Sequence, residues 1–174
     1  MTDKEFFNKI VNGKKDSLAV FLNLLNKSKI KFCVIGGLAV NAYAEPVVSL
    51  DLDVVIVSQK LDVLLPILKK EFKAESFQKS INLSEKSSQL RIQIQTDLRY
   101  QDFIKKAKTR NVLGYTMPVA SIEDVLQGKI WAALSEERRP SKRQKDLADI
   151  LRLIEKNQKL SKLLPDSLKK KLGL

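Results

Sequence analysis

Histidine is absent from this sequence, and cysteine occurs once, at Cys33. Those two gaps remove the common zinc ligands, any disulfide framework, and imidazole as the base of Ser/His or Cys/His catalysis. Chemistry must therefore rest on carboxylates, amines and hydroxyls. Aromatic residues are only 6% of the chain, so no platform for stacking bases is visible. Long apolar runs are missing as well. Phe32 to Val40 is interrupted by Gly36 and Gly37, and Val54 to Val57 falls far short of the ~20 residues a bilayer span needs. The first seventeen residues mix acids, amides and lysines where a secretory signal requires an unbroken apolar stretch. The expectation is a cytoplasmic protein with no membrane contact, in which Cys33 is a small core residue of a reducing compartment.

What the chain does have is positive charge. Lys+Arg number 32 against 20 Asp+Glu, a formal +12 over 174 residues, which favours polyanionic partners such as nucleic acid, nucleotides or an acidic membrane face. With 44% hydrophobic residues the composition is that of one globular domain, and at this length roughly 70% of the unfolded surface is hidden on folding, enough for a core without staples.

Hydrophobic periodicity sets the order of elements. Leu18, Phe21, Leu22 and Leu25 recur at helical spacing behind Asp16, predicting a capped helix over Ser17 to Lys27. Phe32 to Ile35 reads as a buried strand that stops at Gly36-Gly37, and a helix follows from Leu38 to Tyr43. Leu50 to Val57 is the strongest strand. Leu61 to Phe72 carries a helical face despite Pro66. Ser76 to Leu83 is weakly strand-like, whereas Leu90 to Thr96 alternates cleanly, with Leu90, Ile92 and Ile94 on one side. A short helix is expected near Gln101 to Lys108, then helices over Ile122 to Leu134, Ser141 to Lys156 and Pro165 to Lys171. This pattern implies an α+β fold: a mixed β-sheet with flanking helices over residues 1–120 and a helical C-terminal part, 121–174, packed on it as a single compact domain.

In Leu50-Asp51-Leu52-Asp53 the period of two places both carboxylates on one face of the strand. Two anions side by side repel unless a cation lies between them, and a hard ion such as Mg²⁺, which keeps water and substrate phosphates among its ligands, suits that setting. A solvated strand end is the other reading of an Asp-x-Asp. Gly36-Gly37, between a buried strand and a helix, favours the first, because glycines let backbone N–H groups and a helix terminus approach a phosphate.

These residues resemble the nucleotidyltransferase superfamily related to DNA polymerase β. With Lys129, Arg138-Arg139 and Lys142-Arg143-Gln144-Lys145-Asp146-Leu147-Ala148-Asp149, the chain is similar to AbiEii-type abortive-infection toxin nucleotidyltransferases over roughly Lys31 to Leu153. The resemblance implies that Gly36 and Gly37 hold a nucleoside triphosphate such as ATP, that Asp51 and Asp53 bind Mg²⁺, and that an acceptor hydroxyl attacks the α-phosphorus with release of pyrophosphate. It also implies that Lys129 touches the nucleotide phosphates and that Asp146 lies near the acceptor. Ser49 falls where toxin relatives often carry a threonine, and Val47 where they often carry an arginine. Many members have Gly-Ser at Gly36-Gly37, and the third carboxylate of the superfamily corresponds to the amide Gln93. Asp97 shares the face of Gln93 and Gln95 about 13 Å further on, and is read either as a member of the metal site or as a strand-end turn residue.

Arg139 and Arg143, one helical turn apart, could hold phosphate in bidentate fashion. Asp146 and Asp149 share a helix face, and Lys142 with Asp146 and Lys145 with Asp149 have the spacing of exposed ion pairs. Trp131 reads as helix packing before base stacking. The lysines at 156, 159, 162 and 169–171 form either a solvated tail or a sequence-blind attraction for an RNA or tRNA acceptor. The expected function is Mg-dependent transfer of a nucleoside monophosphate to a hydroxyl acceptor. The alternative is a weakly active or inactive relative that binds nucleotide, RNA or an antitoxin partner protein.

Overall fold

The computed structural model describes residues 1–174. In chain order the elements are α1 (Asp3–Ile10), α2 (Ser17–Lys27), β1 (Phe32–Ile35), α3 (Gly36–Val40), β2 (Asp51–Ile56), α4 (Leu61–Leu68), β3 (Lys73–Ser76), β4 (Ser80–Ser84), β5 (Arg91–Gln95), α5 (Phe103–Lys106), β6 (Lys108–Val112), β7 (Tyr115–Val119), α6 (Ile122–Leu134), α7 (Pro140–Lys156) and α8 (Asp166–Leu172). Short 3₁₀ turns lie at Ser58–Lys60, Leu98–Tyr100 and Gln158–Leu163.

The seven strands form one mixed sheet in the order β3-β4-β5-β2-β1-β7-β6. β2 occupies the centre, antiparallel to β1 and parallel to β5. Centrality explains its composition: Leu52, Val54, Val55 and Ile56 are buried, and only Asp51 and Asp53 at its start remain partly accessible. The register sets Asp51 opposite Arg91, and Asp53 between Ile35 on β1 and Gln93 on β5. Helices cover the sheet, and 45 buried apolar residues, from Phe7 to Leu168, form a single core drawn from both sides of residue 121. Cys33 lies in it, and burial pushes its thiol up to about 12, the behaviour of an inert core residue.

Local chemistry accounts for most boundaries. The Ala19 N–H donates to Asp16 Oδ1 at 2.9 Å and starts α2; the Asp124 N–H donates to Ser121 Oγ at 3.2 Å and starts α6. Pro140 opens α7, where its missing N–H costs nothing. Three departures from the sequence reading have physical causes. α1 was not expected, because a Thr2/Glu5 capping box and one buried residue, Phe7, carry it rather than a long apolar stripe. The helix expected to reach Phe72 stops at Leu68, and residues from Lys73 pair as the edge strand β3. Lys108 ends no helix. It opens β6, which forms a hairpin with β7 through Leu113 and Gly114 at φ 52° and 80°, so strand pairing decides the conformation of this polar segment. No helix is long and apolar enough to cross a membrane.

Candidate active site

The chain passes from β1 to α3 without a loop, and Gly36 makes the turn at φ 69°. Its missing side chain has a second use. A Cβ at Gly36 would lie 2.8 Å from Cγ of Asp53, so the glycine admits the carboxylate against the backbone. Gly37 is different: a Cβ there would stand 3.6 Å from Ser49 Oγ, an ordinary contact. The buried Ser49 hydroxyl therefore lies beside residue 37, and it also bridges the Asp51 N–H and carbonyl at 3.3 and 3.4 Å. α3 has five residues, too few for much of a helix dipole, so an anion here would rely on backbone N–H groups and side-chain cations.

The two aspartates of β2 meet different surroundings. Asp51 is held on both oxygens, by Arg91 Nε at 2.8 Å on Oδ1 and by Lys142 Nζ at 3.2 Å on Oδ2. Asp53 is half-buried and makes no such pair. Burial raises its carboxyl above the ordinary range, the neighbouring Asp51 charge adds to the rise, and Lys129 opposes it. Across the sheet, Gln93 stands opposite Asp53, and Asn82 on β4 stands opposite Gln93. Nowhere do three or more His, Cys, Asp or Glu side chains gather as a metal cage. The donor set is thus two carboxylates flanked by amides, which fits one hard divalent cation whose remaining ligands are phosphate and water.

Behind the aspartates lies a buried ionic cluster. Lys129 of α6 reaches Asp146 at 3.0 Å and Asp149 at 2.8 Å on α7, all three within a tenth of full burial. Burial alone would lower the lysine's proton affinity, but Asp149 and Asp146 more than reverse that and hold it charged. Arg138 completes Asp146 at 2.7 Å, and Arg152 completes Asp149 at 2.7 Å. Arg152 also donates to Asn41 Oδ1 at 2.9 Å and to the Glu45 carbonyl, while Asn41 pairs with the Val47 backbone, so α7 grips the loop leading into β2.

Two adjoining cavities share Asp53, Gln93, Lys129, Arg138 and Asp146. The larger, about 190 Å³, adds Gly37, Ser49, Asp51, Arg91, Lys142 and Lys145. The smaller, about 120 Å³, adds Gly36, Gln95, Tyr100 and Asp124. Gly36, Gly37, Ser49, Asp51, Asp53, Lys129 and Asp146 are therefore brought together. Three expected residues are not. Asp97 lies two residues beyond β5, caps the following 3₁₀ turn and is closed by Arg99 at 2.7 Å, the hydrogen bond that chiefly holds its carboxyl below the ordinary range. Arg139 is exposed at the N-cap of α7, and Arg143 donates to the Ser135 carbonyl at 2.8 Å. Neither lines either of these two cavities. The expected i,i+4 pairs also fail to form, since Lys142 crosses to Asp51, and Asp146 and Asp149 turn inward to Lys129.

Arg138, Lys142 and Lys145 stood in the family pattern without an assigned site role, and Arg91 and Asn82 were missed in the sequence reading. The helical face shared by Lys142, Lys145, Asp146 and Asp149 was the available signal for the two lysines; Arg91 and Asn82 become visible only through strand register. Trp131 stacks on Phe103 with ring centroids 5.7 Å apart, edge-on to Tyr100 and under the Arg99 guanidinium, as helix packing.

No curated protein matches the chain. Among solved structures it is similar to the lincosamide antibiotic adenylyltransferase LnuA bound to lincomycin, at 15% identity and TM-score 0.57, covering 82% of this chain and 99% of that one. It is also similar to the antibiotic-resistance factor ANT(2'')-Ia, at 11% identity and TM-score 0.64, covering 91% and 95%. A third likeness is an antigenic nucleotidyltransferase-like protein from Paracoccidioides brasiliensis, at 18% identity and TM-score 0.55, covering 98% and 90%. At these identities the likeness establishes the nucleotidyltransferase fold. A family model described as nucleotidyl transferase AbiEii toxin, type IV TA system, matches residues 23–172, a span that contains both cavities and every residue of the acidic and cationic clusters, and the chain belongs to that family.

Proposed function

We propose that the chain transfers a nucleoside monophosphate from a nucleoside triphosphate to a hydroxyl acceptor, with RNA, tRNA included, as the leading acceptor. The observation that carries this reading is the meeting of Asp51 and Asp53 with Gly37 and the cations Lys129, Arg138 and Lys142 around one cavity, with the Gly36 turn packed against Asp53. Arg138, Lys142 and Lys145 bind the phosphates, with the Ser49 hydroxyl beside Gly37 supplying the contact that a serine at that position would give. Asp146, closed by Lys129 and Arg138, positions Lys129 and keeps it charged, so that it neutralises charge on the departing pyrophosphate. Mg²⁺, which Asp51 and Asp53 would hold, supplies Lewis-acid polarisation of the phosphoryl oxygens. The acceptor oxygen forms its bond to the α-phosphorus as the bond to the pyrophosphate oxygen breaks. With Gln93 an amide, no third carboxylate stands opposite Asp53 on β5, and the hydroxyl proton passes to water.

The net charge of +12 supports a polyanionic acceptor, and membership of a toxin family described as type IV supports an antitoxin partner. A second reading, a member that binds nucleotide but transfers it slowly, is favoured by one observation: the residue opposite Asp53 is Gln93. One experiment separates them. The protein is incubated with each α-labelled triphosphate, Mg²⁺ and total RNA. Label on RNA that disappears with Asp53→Ala is the expected result; triphosphate binding without label transfer supports the second reading, and no binding removes both.

A further inference from the structure

The β2/β5 register and the ion pairs on Asp51 bear on how the site takes its metal. Two-metal phosphoryl-transfer sites hold ions roughly 3.5–4 Å apart and need donors for each. Here Gln93 stands opposite Asp53, Asp146 and Asp149 are committed to Lys129, Arg138 and Arg152, and Asp124 of the adjoining cavity lies 3.7 Å from Lys106. That leaves Asp51 and Asp53, and both oxygens of Asp51 already face cationic nitrogens. The two cations differ from Lys129 in freedom. The Arg91 and Lys142 side chains are 65% and 32% exposed, against 8% for Lys129, so they can swing to a new partner in the cavity they line, whereas Lys129 is fixed.

We propose that this site accepts a single divalent cation, and only together with the triphosphate, because Arg91 and Lys142 hold Asp51 until phosphate oxygens draw them away. The triphosphate is the stronger partner for both side chains, since it offers several anionic oxygens and bidentate geometry to the guanidinium. Their transfer frees Asp51 beside Asp53 at the moment the phosphates that complete the ion's shell arrive. Gln93 denies a second ion its carboxylate. The inference rests on the nucleotide-binding reading above and adds to it an order of events and a stoichiometry.

The test counts ions rather than turnover. The full chain is titrated with Mn²⁺, free ion being read by electron paramagnetic resonance, alone and with each α,β-methylene ribonucleoside triphosphate. The expected result is little retention by the chain alone, one Mn²⁺ per bound analogue, and about tenfold or tighter retention in the ternary mixture than by chain or analogue separately. The double variant Arg91→Gln, Lys142→Gln retains Mn²⁺ without analogue, and Gln93→Asp raises the count to two; circular dichroism confirms that each is folded. Two ions per analogue in the parent, or equal retention with and without analogue, overturns the inference and leaves the proposed function standing. Failure of every analogue to bind overturns the proposed function, and the inference falls with it.

Discussion

Gly36 and Asp53 occupy one space: the carboxylate of the second fills the position where a side chain on the first would begin. Gly36→Ala therefore meets two penalties, a left-handed φ of 69° and a collision that nothing flexible relieves except displacement of Asp53 itself. The expected loss is about 2 kcal/mol of stability or more, together with loss of triphosphate binding. Gly37→Ala, which meets Ser49 Oγ at ordinary distance, keeps its stability. Denaturant titration of the two variants side by side checks the contrast.

Asp53 costs the fold stability at neutral pH. Burial holds its proton more tightly in the folded than in the unfolded chain, the like charge of Asp51 assists, and Lys129 only partly offsets them. The folded state therefore binds the extra proton, and stability falls as pH rises from the ordinary carboxylate value of 3.8 through the raised folded value. Asp53→Asn is accordingly more stable than the parent at pH 7, and its advantage shrinks toward zero as pH drops below the ordinary value. Paired thermal melts across that range read the difference, and a parent more stable than the variant at neutral pH contradicts the assignment.

Replacing Lys129 strands two buried anions. Lys129→Met leaves Asp146 with Arg138 and Asp149 with Arg152, but removes the charge shared between them. A loss of about 3 kcal/mol is expected from breaking a buried pair. The triple change Lys129→Met, Asp146→Asn, Asp149→Asn recovers part of it, which a surface lysine would not allow. Urea titrations of both variants provide the measurement.

Adjacent arginines separate in function. Arg138→Ala and Lys142→Ala each weaken triphosphate affinity about tenfold, the size of a lost hydrogen bond to a charged group, because both line the larger cavity. Arg139→Ala, an exposed helix cap, leaves affinity within about twofold, as expected for a screened surface charge. Calorimetric titration distinguishes them.

Much of this architecture was legible from residue order alone. The alternation that put Asp51 and Asp53 on one face, the glycine stop after Ile35 and the capped helices after Ser121 all depend on near neighbours, and periodicity records near neighbours faithfully. What escaped depends on partners far along the chain. Lys142 has the spacing of a partner for Asp146, yet it takes Asp51, ninety-one residues away, because Asp146 is buried against Lys129 and Arg138. Arg91 becomes a site residue only once β5 is laid beside β2. Asp97 pointed the right way for a strand that continued, but the strand ends at Gln95 and the carboxylate turns back to cap Leu98–Tyr100. β6 was hidden because Lys108 to Val112 carries a single buried residue and owes its conformation to β7.

Because α6, α7 and the connection between them supply Lys129, Arg138, Lys142 and Asp146 while the sheet supplies Asp51, Asp53 and Arg91, the chemistry belongs to a seam. Cutting the polypeptide near residue 121 would part Asp51 and Asp53 from Lys129, Arg138 and Lys142. A partner protein that pried the helices from the strands by a few ångströms could silence the molecule without ever entering the cavity.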